Sequence, residues 1–501
     1  MAGHRELLLD GKSLDIRQME EVAVGGRRVG IDEDAHRRIL LSRKALEKRL
    51  SDGKAIYGVN TGFGDLQDRR IDARDLILLQ RNLIRSTAAG IGGTLDTAET
   101  RAMMLLRLNT LIRGHSGIRE ETALLLQEML NRGVHPLIPS TGSVGASGDL
   151  APLAHLALVL IGEGEAEIAG KRMGGAEALH GAGLSPLNLT EKEGLALING
   201  TQFMTAVGAL ALSSLERLME QWMLIFSISL QALGGSLSPF DRRVTEVRHH
   251  PGSDRAAAAV RENCAGWNGG EGRIQDAYTL RCFPQVAGPL LEMMDYGRTV
   301  LEREMNSTTD NPLVFEDGDI ISAGNFHGQP VAVALDALCI PLHAFCSFSE
   351  RRIARLLDSK LSGLPAFLAD RPGIESGYMV AQYTAASLVG EGNVLVHPAT
   401  SHSVPTSANQ EDFVSMGAHA AMKLKRLVEN AYYVCAIEAL CATRALELAK
   451  GRASEAVMRA ISLIREEVPP RSGDAVLSTE IEKCASFLHS GGLLTHSRRS
   501  A

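Results

Sequence analysis

The sequence predicts a mainly α protein: a long-helix bundle with a mixed, loop-rich N-terminal region that carries the candidate active-site loops. Three observations lead there. Aromatic residues make up only 4% of a chain that is 45% hydrophobic, and Ala, Leu, Met and Glu are plentiful, a balance that suits helix-on-helix packing better than a sheet sandwich. Apolar residues recur at helical spacing over five long stretches of the later sequence. Glycine and proline often interrupt the first 200 residues, as loops require.

Taken in order, residues 1 to about 200 mix short strand-like pieces with helices. Two loops stand out there, YGVNTGFGDL at 57–66 and HPLIPSTGSVGASGDLAP at 135–152. Helical spacing then covers 201–239, 285–307, 329–360, 378–394 and 410–450. We therefore expect an N-terminal domain over 1–200 that holds the reactive loop, and a long-helix bundle domain over 201–501. The stretch VAVALDALCIPLHAFCSF at 331–348 is apolar on most of its circumference. A helix of that kind has to be buried from every side, so the pattern suggests a bundle completed by other subunits.

Charge and length exclude several classes of function. The 501-residue chain has ample apolar material for a core, and its net charge of -7 is made of interspersed acidic and basic residues. No basic face is available for nucleic acid or anionic lipid. The longest apolar run, near 222–233, is too short to span a bilayer, and the first thirty residues contain no export signal. Seven cysteines, never spaced as CxxC, suggest neither a disulfide framework nor a zinc knuckle. The expectation is a cytoplasmic protein with no membrane partner.

Common catalytic motifs are missing. The single GKS, at 11–13, has Glu6 where a phosphate-binding loop requires glycine, and neither HExxH nor GxSxG occurs. No metal or nucleotide is expected, and the adjacent His249 and His250 read as a solvated loop pair. What remains is GSVGASGDLAPLAH at 142–155, where small residues surround Ser147 and lead into an apolar helix with Asp149 near its start. Such a backbone can bend tightly. The tripeptide Ala146-Ser147-Gly148 is by itself a weak signal.

Its surroundings strengthen it. YGVNTGFG at 57–64, GSVGASGDLAPLAH at 142–155, LALINGTQ at 195–202, QDAYTLRCFPQV at 275–286, NSTTDNPLVF at 306–315, AGNFHG at 323–328 and PTSANQEDFVSMG at 405–417 follow one another. In that order, over nearly the whole chain, they resemble the histidine and phenylalanine/tyrosine ammonia-lyase family. The resemblance implies a 4-methylidene-imidazol-5-one group made autocatalytically from Ala146, Ser147 and Gly148. Glycine lets its nitrogen approach, alanine adds little bulk, and serine supplies a hydroxyl that can leave.

The same resemblance implies roles for individual residues. Tyr57 matches the family's base for the β-proton; with a free tyrosine pKa of about 10, its site has to favour the phenolate. Arg281 would clasp the substrate carboxylate, and if QDAYTLR is helical it lies about one turn from Gln275 and Tyr278. Asn199, Gln275 and Asn325 resemble residues holding the carboxylate or the ring oxygen. Gly64, Ser86, Thr87, Tyr278 and Phe326 line the site, and Gln410 with Glu411 approaches the amino or side-chain end. The implied assembly is a homotetramer with shared active sites, acting on a small amino acid.

Two positions depart from the histidine branch. Thr87 stands where an imidazole-gripping histidine is usual, and Phe413 replaces the histidine common after Gln-Glu-Asp. The reaction implied is elimination of ammonia from an L-amino acid of Phe, Tyr or His type, giving a trans-2,3-unsaturated acid. An aromatic amino acid 2,3-aminomutase and a catalytically inactive helical assembly protein stay open as alternatives.

Overall fold

The structure, a computed structural model, describes residues 6–53, 55–270 and 274–494. Among these residues are nineteen α-helices and nine short strands, the mainly α architecture that the composition predicts. Long helices run over Gln202–Ala232, Phe283–Met305, Gln329–Leu357, Met379–Leu395 and Gly417–Ala449. Four of them match the predicted stretches to within a few residues, apart from the early end of the first at Ala232. The fifth starts at 417 and not at 410, because Glu411 is bridged back to Thr406 by two backbone hydrogen bonds and Met416 has a positive φ, a backbone an α-helix does not adopt.

The chain divides into two compact units. The first draws on Met1–Leu210, Arg298–Asp336 and Pro398–Met422, the second on Ala211–Gly297, Ala337–His397 and Lys423–Ala501.

In the first unit, small sheets brace the helices. Leu7–Leu9 pairs in parallel with Val29–Ile31, and Ile91–Thr94 runs antiparallel to Pro139–Thr141. A three-stranded sheet places Glu165–Ile168 between His135–Pro136 and Lys171–Gly174. Helix Thr97–Leu111 begins with a capping box in which Asp96 and Glu99 satisfy each other's backbone N–H. Met103, Met104, Leu105, Leu106 and Leu108 then bury it on all sides. Helix Leu150–Leu160 follows the reactive loop directly and is apolar almost throughout.

In the second unit, a charged knot is buried within aromatic packing. Arg352 and Glu438 are both fully buried and form a two-pronged ion pair at 2.7 and 2.8 Å. Glu438 also accepts from Trp222 Nε1 at 2.9 Å and Ser229 Oγ at 2.8 Å, so its lone pairs are used as a buried carboxylate requires. Phe226 stacks on Phe283 at 3.7 Å, and Trp222 meets Phe345 edge-on at 4.8 Å. Removing one partner of the pair would strand a charge at a cost of about 3–5 kcal/mol.

Helix Gln329–Leu357 is the one described helix long and apolar enough to cross a membrane, and most of that apolar window is buried inside the protein. Val333 and Ile340 nevertheless stay exposed on it.

Candidate active site

The loop carrying the candidate electrophile is fixed from several directions. Ser143 Oγ accepts from Gly145 N and donates to Asp149 Oδ1 at 2.9 Å. Met416 N donates to Val144 O at 2.9 Å, and Asp149 N donates to Gly200 O at 2.6 Å. Asp149 does not cap the helix it precedes. Its other oxygen accepts from Met204 N at 2.9 Å, so it joins the loop to the start of the helix at Gln202. Complete burial pushes the Asp149 carboxyl up to about 7 despite the bonds from Met204 and Ser143.

Gly148 has a φ of +77° and sits against Gly200, whose carbonyl oxygen would lie 2.2 Å from any Cβ at this position. Only glycine fits, on both steric and conformational grounds. Ala146 is buried beside it. Asn199 Nδ2 donates to the Ser147 carbonyl oxygen at 2.7 Å, the atom that would become the ring's exocyclic oxygen after cyclisation. Asn199 Oδ1 is buried without a partner. These features fit the prosthetic group that the sequence implies.

Ser147 opens into a cavity of about 450 Å³ in the first unit, lined also by Tyr57, Gly64, Thr87, Asn199, Phe326, Gln410 and Glu411. Phe63, Leu83, Leu150, Leu195 and Ile198 supply an apolar wall that the sequence reading missed, and Asn311 and Ser407 add polar edges. Among the described residues, no basic side chain lines it. The Ser147 hydroxyl donates to Glu411 Oε1 at 2.7 Å, and Thr406 Oγ1 donates to Glu411 Oε2 at 2.7 Å.

The segment that presents Gln410 and Glu411 is strained. Ser407, Ala408 and Asn409 have φ of 50°, 52° and 68°, and successive left-handed non-glycine residues cost about 1–2 kcal/mol each. Backbone bonds from Thr406 N to Glu411 O and from Glu411 N to Thr406 O, at 2.8 and 3.2 Å, close the loop across them. Strain of this sort tends to concentrate where function fixes a geometry.

Tyr57 hydroxyl oxygen accepts from Gly64 N at 3.1 Å. Burial raises its pKa above the ordinary value of 10, the Gly64 N–H opposes the rise, and the Glu411 charge adds to it. This corrects the expectation that the surroundings favour the phenolate: among the described residues of one chain, only the Gly64 amide does so.

Several expected residues fall outside the cavity. Ser86 is exposed at its helix end and donates to Leu83 O. Asn325 donates to Thr308 O at 3.3 Å and does not line the cavity. Gln275, Tyr278 and Arg281 belong to the second unit. The helix there covers only Tyr278–Arg281, so Gln275 is not a turn away on a helix as the spacing suggested. Tyr278 is exposed, with the Arg281 guanidinium 4.7 Å above its ring and Arg281 Nε donating to Asp276 O. Phe413 is exposed too, stacked on His327 at 6.0 Å, so of the two departures only Thr87 reaches the cavity.

Beneath Asn199 lies a buried set of charges with no local sequence signature. Arg107 Nη1 donates to Asn199 O and Gln202 Oε1, both at 2.9 Å, and its Nη2 donates to Ala196 O. Burial lowers the Arg107 pKa to about 10, with Asp310 opposing. Fully buried Lys192 and Asp310 pair at 2.8 Å, and Asp310 Oδ1 accepts from the backbone N–H of Asn311 at the cavity edge.

Comparison with known proteins agrees with this geometry. Residues 14–466 match the family model described as aromatic amino acid lyase. A histidine ammonia-lyase of Anaeromyxobacter sp. (strain K) is 50% identical over 97% of this chain and 99% of its own length. Histidine ammonia-lyase from Trypanosoma cruzi superposes with a TM-score of 0.92 at 39% identity, covering 99% of this chain and 95% of that one. Tyrosine aminomutase from Streptomyces globisporus superposes at 0.94 with 35% identity, covering 99% of both. With matches of this extent carried on an intact Ala146-Ser147-Gly148 loop, the chain belongs to the aromatic amino acid lyase family and is a carbon–nitrogen lyase.

Proposed function

We propose that this protein eliminates ammonia from an L-amino acid bearing an aromatic or imidazole side chain and releases the trans-2,3-unsaturated acid. The observation that carries the proposal is the Asn199 Nδ2 bond to the Ser147 carbonyl oxygen at 2.7 Å, beside a cavity that Asn199, Ser147 and Tyr57 all line. A methylidene-imidazolone formed from Ala146, Ser147 and Gly148 supplies an electrophile that makes the amino group a better leaving group.

The chain's own residues do the rest. Asn199 holds the Ser147 oxygen and stabilises negative charge that develops there. Tyr57 oxygen takes the β-proton as the C–N bond breaks and ammonia departs. The apolar wall of Leu83, Leu195 and Phe63 receives the side chain, and Gln410 with Glu411 gives that end a polar contact. Histidine is the first substrate to test, because two of the relatives above are named histidine ammonia-lyase and a carboxylate suits a polar ring. Thr87, which has no imidazole to offer, keeps phenylalanine and tyrosine in the set.

The substrate carboxylate requires a cation, and among the described residues no basic side chain lines the cavity. We infer that Arg281 of the partner subunit, together with Gln275 and Tyr278, completes it in a homotetramer with shared sites. The exposed Tyr278 and the exposed Val333 and Ile340 on a largely apolar helix support such an assembly. That cation would also offset the burial and the Glu411 charge that raise the Tyr57 pKa.

A second reading, return of the amine to the β-carbon, is favoured by the likeness to tyrosine aminomutase. The test for both is the ultraviolet spectrum over time with L-histidine, L-phenylalanine and L-tyrosine offered separately, beside a Ser147→Ala control. Growth of conjugated product absorbance with one of them, absent in the control, is the expected result. A β-amino acid without absorbance growth would establish the mutase, and no reaction with any of the three would overturn the proposal.

A further inference from the structure

We propose that Glu411 is the proton donor that removes the Ser147 hydroxyl when the chain builds its own electrophile, a task it completes before any substrate enters. The inference rests on reading Ala146-Ser147-Gly148 as the precursor of that group.

Two waters have to leave. In the first loss, Gly148 N bonds to the Ala146 carbonyl carbon; the Ala146 oxygen departs with the amide protons of Gly148 and Ser147, leaving a double bond from Ala146 C to Ser147 N. In the second, the Ser147 Cβ–Oγ bond breaks, the Cα proton is lost, and Cα and Cβ become doubly bonded. Hydroxide is a poor leaving group, so the second loss requires a proton on Oγ as the bond breaks. The structure gives Ser147 Oγ a hydrogen bond to Glu411 Oε1, at 2.7 Å and across 264 positions of sequence. When the Glu411 carboxyl carries a proton, that contact delivers it to Oγ. The Cα proton then returns by way of water to the carboxylate, and the net loss is one water.

Further features suit Glu411 to this work. Its second oxygen is held by Thr406 Oγ1 at 2.7 Å, so the carboxyl is aimed and not free to swing. The three left-handed residues 407–409 and the bonds between Thr406 and Glu411 fix the backbone behind it. Ser147 and Glu411 both line the cavity, which gives the departing water a way out. Once Oγ is gone, Oε1 loses its partner and faces the cavity, free for a substrate's amino or side-chain end. The same carboxylate therefore serves maturation first and turnover afterwards.

The test follows the intact mass of the full-length chain at intervals after cell-free synthesis, for the wild type, Ser147→Ala, Glu411→Gln and Glu411→Asp. The wild type should lose roughly 36 Da, two waters. Glu411→Gln should stall at a loss of at most roughly 18 Da, or lose the second water about a hundredfold more slowly, with Glu411→Asp between the two. A Glu411→Gln chain that loses both waters at the wild-type rate would overturn the inference alone. A wild-type chain that loses none would overturn the reading beneath it. Circular dichroism checks the fold of each variant. If Glu411→Gln does not fold, Glu411→Asp decides: wild-type kinetics would contradict the proposal, and a slowed second loss would support it.

Discussion

Asn199 Nδ2 donates to the Ser147 carbonyl oxygen at 2.7 Å, while Asn199 Oδ1 stays buried and accepts no hydrogen bond. The bonded half of the amide holds the precursor's oxygen, and the unbonded half is left over for another donor. Asn199→Ala is expected to lower kcat by about 10²–10³-fold, the usual cost of one donor to a developing oxyanion. Steady-state kinetics on the best substrate is the check, and an unchanged kcat would remove Asn199 from the chemistry.

Gly148→Ala puts a methyl group 2.2 Å from Gly200 O on a backbone at φ +77°. We expect thermal unfolding to show a loss of about 2 kcal/mol or more, together with no cyclisation by mass. A stable, cyclised Gly148→Ala protein would contradict the close approach of these two glycines.

The next prediction concerns pH. The Asp149 carboxyl titrates at about 7 when folded against an ordinary 3.8. Between those values the folded chain binds more protons than the unfolded one, so the stability that Asp149 contributes falls as pH rises from 3.8 to about 7 and then levels off. On the order of 4 kcal/mol should separate the two ends of that window. Urea unfolding of wild type and Asp149→Asn at pH 5 and pH 8 should show a wild-type decline that the variant largely lacks. Parallel profiles would assign the decline to other groups.

Much of this was legible in the sequence, and the exceptions have physical causes. The helices over 283–305, 329–357 and 379–395 were readable because burying one apolar face imposes a 3.6-residue period. The loop at 142–149 was readable through the ordered motifs around it, since Ala146-Ser147-Gly148 is by itself a weak signal. Arg107, Lys192 and Asp310 were not, since Lys192 meets Asp310 across 118 positions and no local pattern marks such a pair. The start of the last long helix was misplaced because Glu411 pairs back with Thr406 and Met416 turns left-handed, and no local pattern in 410–416 announces either. Ser86 and Asn325 sit in the right segments but do not line the cavity, a matter of side-chain direction that motif matching does not resolve.

Shared sites make a prediction for mixtures. Tyr57→Phe and Arg281→Ala should each be nearly inactive alone. If Tyr57 and Arg281 in one site come from different copies, co-expression should restore a measurable share of wild-type activity, because some sites then carry both native residues. Activity no higher than that of the separate variants would place both residues in the same copy.

Thr87 lines the cavity where the histidine branch carries an imidazole. Thr87→His is expected to raise the ratio of kcat/KM for histidine over phenylalanine by about tenfold, roughly 1.4 kcal/mol of preference. Paired kinetics on the two substrates measures it, and an unmoved ratio would leave Thr87 as wall and nothing more.

The central claim is that Ala146, Ser147 and Gly148 become the electrophile of an ammonia-eliminating enzyme. Its most direct test is the mass of the proteolytic peptide holding residues 146–148, taken from protein already measured for turnover. The expected peptide is lighter than its sequence by roughly 36 Da, with turnover abolished in Ser147→Ala. An unmodified peptide mass from protein that still eliminates ammonia would contradict the account.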